Sequence, residues 1–198
     1  MGTLVPFRRI EGAVEELSDE ALVSATAHGE QAALGALFDR FHGDVYRFVA
    51  RIAAGSPGDI DDLAQQTFLE ASRAASRFRG RSSVKTWILG IAVNVARTHA
   101  RGERRRQAAV GRFGDVPIAH AEPLDAIADR ARALERMARA LDQLPYDLRV
   151  AYSLCVVEEL TAKEAATALD TREGTVWRRV HEARALLQAA LTGGRDEP

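Results

Sequence analysis

Residues 59–101 read DIDDLAQQTFLEASRAASRFRGRSSVKTWILGIAVNVARTHAR. The pattern is that of two amphipathic helices joined by a basic Arg-Gly loop. Leu63, Thr67, Phe68, Ala71 and Ala75 recur at helical spacing in the first half. Val84, Trp87, Ile88, Ile91 and Val95 make the expected buried stripe of the second. Between them Phe78-Arg79-Gly80-Arg81-Ser82-Ser83 reads as a turn, and the Ser83 hydroxyl suits the N-cap of the second helix. The stretch starts acidic and amide-rich (Asp61, Asp62, Gln65, Gln66) and ends strongly basic. One edge suits a basic protein surface and the other suits nucleic acid.

The charge distribution supports that division. The net charge of −1 argues at first against nucleic acid. Residues 1–70, however, carry 5 Lys/Arg against 12 Asp/Glu, and residues 71–112 carry 11 Lys/Arg against Glu103 alone. Residues 113–198 return to an acidic balance, 11 against 15. A basic block between acidic flanks is an electrostatic footprint for phosphate, whereas a merely solvated face mixes both signs.

Upstream, residues 1–16 have weak periodicity and read as a tail. Ser18 fits an N-cap, followed by Asp19 and Glu20 at the positive end of a helix dipole. A second helix is expected from Glu30 to Ala53, on the spacing of Leu34, Leu37, Phe38, Phe41, Val45, Phe48, Val49 and Ile52. Gly55-Ser56-Pro57-Gly58 breaks it. Four helices with short loops make a compact domain over residues 17–106. Residues 107–125 (QAAVGRFGDVPIAHAEPLD) have no steady period and read as a linker.

A second helical domain is expected over residues 126–192, with residues 193–198 as a tail. Pro145 separates a first helix from one over Asp147 to Val157. Residues 160–191 then have helix-turn-helix dimensions. Thr161 and Glu164 are spaced as a capping box, and Asp170-Thr171 marks the turn. Val176, Val180, Ala183 and Leu187 fall in one stripe at about 100° per residue. Gly174, Arg178, His181 and Glu182 fall opposite, with Trp177 and Arg179 on the flanks. Such a helix can enter a major groove, although a plain helical hairpin has the same geometry. Trp177 can pack on a neighbouring helix or on a DNA sugar.

The fold class is therefore all-α, two small helical domains joined by a flexible linker. The motifs DIDDLAQQTFL, RFRGRSSVKTWILGIAVN, LDQLPYDLRVAY and LTAKEAATALDTREGTVWRRVHEAR stand in order together with the Arg cluster. Over residues 17–191 the chain resembles an extracytoplasmic-function (ECF) sigma factor of the sigma-70 family, with region 2 at residues 17–106 and region 4 at 126–192.

The resemblance implies a promoter-specificity subunit of RNA polymerase. Asp61, Asp62, Leu63, Gln65, Gln66 and Phe68 match the motif that docks on the β′ clamp coiled coil, with Leu63 and Phe68 expected to anchor the contact. Phe78, Arg79, Gly80, Arg81, Ser82 and Ser83 match the loop that captures an unstacked base of the promoter −10 element. Lys85, Thr86, Trp87, Asn94, Arg97 and Arg101 lie on the supporting helix, with Arg104, Arg105 and Arg106 expected on phosphates. Asp115, Glu122 and Asp125 of the linker match a segment that runs through the polymerase cleft.

Arg172, Thr175, Trp177, Arg178, Arg179, His181 and Glu182 match the −35-reading helix, whose domain leans on the β flap. Members of this family commonly have an anti-sigma partner. Departures from the pattern at Arg81, Thr98, Trp177 and Glu182 bear on which promoter sequences are read, and Asp170 stands where the turn glycine is usual.

Two other classes compete. A stand-alone helix-turn-helix regulator has no use for DIDDLAQQTF, and a pure interaction protein directs no transcription. No catalytic grouping, cofactor motif or metal-spaced cluster is present, and His28, His42, His99, His120 and His181 are scattered. Cys155, the only cysteine, is expected to be a buried small hydrophobe, and its solitude fits a reducing cytoplasm. The apolar run Trp87–Ala96 falls well short of the ~20 residues of a membrane span.

Overall fold

The computed structural model describes residues 14–53, 57–110 and 126–192. All regular structure among them is helical: α1 (Asp19–Ala27), α2 (Gln31–Ile52), α3 (Pro57–Ala74), α4 (Val84–Val110), α5 (Ala126–Gln143), α6 (Tyr146–Tyr152), α7 (Ala162–Ala168) and α8 (Glu173–Thr192). Local chemistry sets the helix starts. Ser18 accepts from the Ala21 N–H, Ser83 accepts from the Thr86 N–H at 3.1 Å, and Thr161 and Glu164 form a reciprocal capping box. Pro57 opens α3, where the missing N–H costs nothing. Asp170, between α7 and α8, takes the left-handed conformation (φ 47°) in place of a glycine.

Helices α1–α4 enclose a core in which Leu22, Leu37, Phe48, Ile52, Ile88 and Leu89 are fully buried. Along α3 the expected inner face holds, since Leu63, Thr67, Phe68, Ala71 and Ala75 are all buried. Along α4 the stripe is rotated from the one expected. Val84 and Ile88 are buried, but so are Leu89, Ala92, Val93 and Ala96, while Trp87, Ile91 and Val95 are only half-buried. The reason is that α4 has neighbours on two sides, α2 and α3 on one and α7 on the other. The helix also continues to Val110, past the boundary expected at residue 106.

In the second half, Val176, Val180, Ala183 and Leu187 face inward as the periodicity requires. Ala183 and Leu187 join Ala140, Leu144 and Leu148 in a small core of their own. Val150, Ala151, Leu154, Ala165, Ala166, Val176 and Val180 instead share the large core built on Leu22, Phe48 and Leu89. The helix expected over Asp147–Val157 ends early, at Tyr152, and passes into a π-helical turn, Ser153–Val157, closed by Glu159 at φ 56°. Cys155 is half-buried there, and burial raises its thiol pKa. Most of the expected linker, with Asp115, Glu122 and Asp125, lies outside the described residues, as do His120, residues 1–13 and residues 193–198.

Candidate polymerase and nucleic-acid interfaces

The outer face of α3 carries Asp61, Asp62, Gln65 and Gln66, all exposed. Gln66 donates to Glu70, which also holds Arg73. Leu63 and Phe68, expected to anchor a partner, point into the core instead and are each 4% exposed. Phe68 packs against Phe38, with ring centroids 4.9 Å apart and ring planes tilted by 60°. The apolar group this face does present is Leu69, 51% exposed and absent from the expected set. Its i+3 and i+4 spacing from Gln66 and Gln65 is the signal that points to it.

After α3, a 3₁₀ turn (Ala75–Arg77) leads into the Arg-Gly loop, where Gly80 has φ 65°. Loop, α4 and the end of α7 (Thr167 and Ala168) line an open cleft of about 400 Å³. Phe78 and Trp87 form one wall, ring centroids 5.1 Å apart and tilted by 50°. Arg79, Arg81, Ser82 and Asn94 supply donors and acceptors around it. An aromatic wall with one amide and two guanidinium groups is chemistry that stacks a base and reads its edge.

The remaining residues of the expected −10 set divide. Arg101 and Arg105 are exposed further along α4. Arg104 and Arg106 lie on the same helix, with side chains outside the described residues. Ser83 and Thr86 are occupied with each other at 2.8 Å, and Thr86 is fully buried, so its place is structural and not on DNA. Lys85 is held by Glu158 at 2.9 Å and Asp44 at 3.2 Å. Burial alone would lower the Lys85 pKa, but those two carboxylates outweigh it and the pKa is raised. Arg97 pairs with Asp147 at 3.2 Å and lies over the Tyr146 ring.

Arg172, just before α8, and Trp177, Arg178, His181 and Glu182 on it are all exposed. Thr175 is half-buried. Trp177, at 59%, is turned away from the neighbouring helix and is free to meet a partner. Arg179 is turned the other way, to Asp147 at 3.0 Å. Among the described residues no group of His, Cys, Asp and Glu is placed to hold a metal ion, and no helix is long and apolar enough to cross a membrane.

Residues 37–106 match the Sigma-70 region 2 family and residues 134–187 the Sigma-70 region 4 family. The ECF RNA polymerase sigma-E factor of Salmonella typhimurium is 31% identical over 184 residues, covering 86% of this chain and 92% of the relative. The chain belongs to the ECF sigma factors. The sigma-E factors of Escherichia coli K12 and Haemophilus influenzae are equally similar at 31%, with 92% and 95% of their lengths covered.

Among solved structures, CnrH in complex with the cytosolic domain of CnrY matches with a TM-score of 0.64 and 27% identity, over 90% of this chain and 99% of that one. The Bartonella quintana sigma factor RpoE, solved with the anti-sigma factor NepR, shares the fold at a TM-score of 0.63. As an ECF sigma factor the chain serves promoter-specific initiation of transcription.

Proposed function

We propose that the two domains divide that task between protein and DNA as follows. The exposed face of α3 docks on the β′ clamp coiled coil. Asp61 and Asp62 pair with basic side chains there, Gln65 and Gln66 exchange hydrogen bonds, and Leu69 supplies the apolar anchor. The cleft between the Arg-Gly loop and α4 captures an unstacked base of the −10 element. Phe78 and Trp87 stack it, Asn94 reads its edge, and Arg101 and Arg105 hold flanking phosphates.

Helix α8 enters the major groove at the −35 element with Arg172, Arg178, His181 and Glu182, and its domain rests on the β flap. The linker acidic residues Asp115, Glu122 and Asp125 follow the polymerase cleft. The protein works in the cytoplasm by binding, not by catalysis, and takes no cofactor. An anti-sigma protein is a further partner, by analogy with the RpoE structure solved with NepR.

The observation that carries the reading is the cleft: aromatic wall, amide and arginines meet at the junction of the acidic face and the basic block. Reconstituted transcription tests it. Purified chain and core polymerase on a pool of genomic fragments should initiate at discrete sites that share two spaced sequence elements. Initiation at no particular site would reject it.

A further inference from the structure

The side of α8 turned from the core carries both signs of charge. At about 100° per residue, Gly174, Arg178, His181, Glu182 and Ala185 form the outward stripe, opposite Val176, Val180, Ala183 and Leu187. All five are exposed, and a Cβ added at Gly174 would meet nothing within 4 Å. Small residues one turn before Arg178 and one turn after Glu182 let the helix lie close to a groove floor. Among the described residues neither Arg178 nor Glu182 has an ion-pair partner, whereas Arg179 is held by Asp147. The formal charges of the stripe cancel, so phosphate attraction does little there and base contacts carry the selection.

A carboxylate in that position narrows the bases it can meet. It is an acceptor only, and the phosphates repel it. In the major groove guanine presents the O6 and N7 acceptors and thymine the O4 acceptor, so both repel it as well. Adenine presents its N6 donor with the N7 acceptor beside it. Cytosine presents a donor, the N4 amine, with no acceptor on the same edge.

We propose that Glu182 is a specificity-determining residue of the −35 contact and accepts from a cytosine N4, while Arg178 donates to a guanine within two base pairs of that cytosine. The inference rests on the placement of α8 in the major groove proposed above and adds the bases it demands. The spacing follows from the helix. Four residues advance roughly 6 Å along the axis, less than two base-pair steps of about 3.4 Å. Glu182 also acts by exclusion, because guanine or thymine in that position sets acceptor against acceptor. Its removal should therefore relax selection more than it weakens binding.

The test uses holoenzyme reconstituted from the full chain and core polymerase. A promoter found by reconstituted transcription is randomised across its upstream element, and the duplexes that the holoenzyme retains are sequenced. The wild type should demand cytosine at one position, other bases there binding about tenfold more weakly. Glu182→Gln should move that demand to adenine, whose N6 and N7 suit an amide. Glu182→Ala should accept all four bases there nearly equally. One arm needs no variant. N4-methylcytosine at that position keeps the base pair but covers the groove donor, and should weaken wild-type binding as much as replacing the base.

Unchanged base demands in both variants would overturn the proposal, as would full wild-type affinity for the N4-methylcytosine promoter. If Glu182→Ala instead erases the guanine demand and keeps the cytosine, Glu182 merely orients Arg178 and the proposal falls. Each of these results leaves −35 reading by α8 intact. A wild-type holoenzyme that selects no upstream element overturns that reading and the inference with it.

Discussion

Arg178 and Arg179 are neighbours on α8, but one is exposed and the other is tied to Asp147. Arg97 and Arg101, one turn apart on α4, divide in the same way between a pinned and an exposed group. The two halves of the molecule differ correspondingly. The first closes its own core on Leu22, Phe48 and Leu89, whereas the second has only a small private core and borrows the rest from the first. In these two pairs, contact with Asp147 and not residue type decides which arginine is exposed.

The largest effect should come from the self-sufficient half. Phe48→Ala should cost about 3–5 kcal/mol in thermal or denaturant unfolding, because Phe48 is fully buried in the larger core. A loss confined to the second domain would break the comparison. Next, Asp62→Arg should weaken core polymerase binding by about 2–5 kcal/mol with the helical circular dichroism unchanged, as expected of an exposed residue. Unchanged affinity would move the docking surface off this face of α3.

The paired arginines give a smaller and sharper contrast. Arg178→Ala should cost about 1–3 kcal/mol on the preferred −35 sequence and much less on others, read by competition binding of the holoenzyme. Equal loss on every sequence would assign it to phosphate. Arg179→Ala should instead cost little on any DNA sequence in the same assay, because Asp147 of its own domain already holds it.

The smallest effect belongs to the capping box. Thr161→Ala should cost about 1 kcal/mol of stability. Hydrogen bonds from Thr161 hold the Glu164 carboxyl below its ordinary value of 4.5. The ionised form is thus favoured in the folded state, so its contribution is complete above pH 4.5 and is lost as the pH falls through the lowered value. Unfolding followed down that pH range should show the loss in the wild type and not in Glu164→Gln.

What is legible in the sequence is local. The caps at Ser18, Ser83 and Thr161 depend on residues three apart, and the stripe of α8 depends on one dominant neighbour. Helix α4 departs from its expected stripe because it packs on two sides, so Leu89 and Val93 are buried where a single-stripe reading places Trp87 and Ile91. Leu63 and Phe68 match a docking motif but serve the core, and periodicity alone separates them from Leu69. Pairing of Arg97 with Asp147, 50 residues apart, and of Lys85 with Glu158 depends on how the domains meet, which no local pattern encodes.

The central claim is that one helical hairpin grips polymerase with α3 and takes a separated DNA strand with the cleft behind it. Promoter opening followed by a fluorescent base within the −10 element, alongside closed-complex affinity, tests it most directly. Asn94→Ala should leave closed binding nearly intact and slow opening several-fold, by roughly the 1–3 kcal/mol of a lost base contact. Weakened closed binding with an unchanged opening rate would contradict the account.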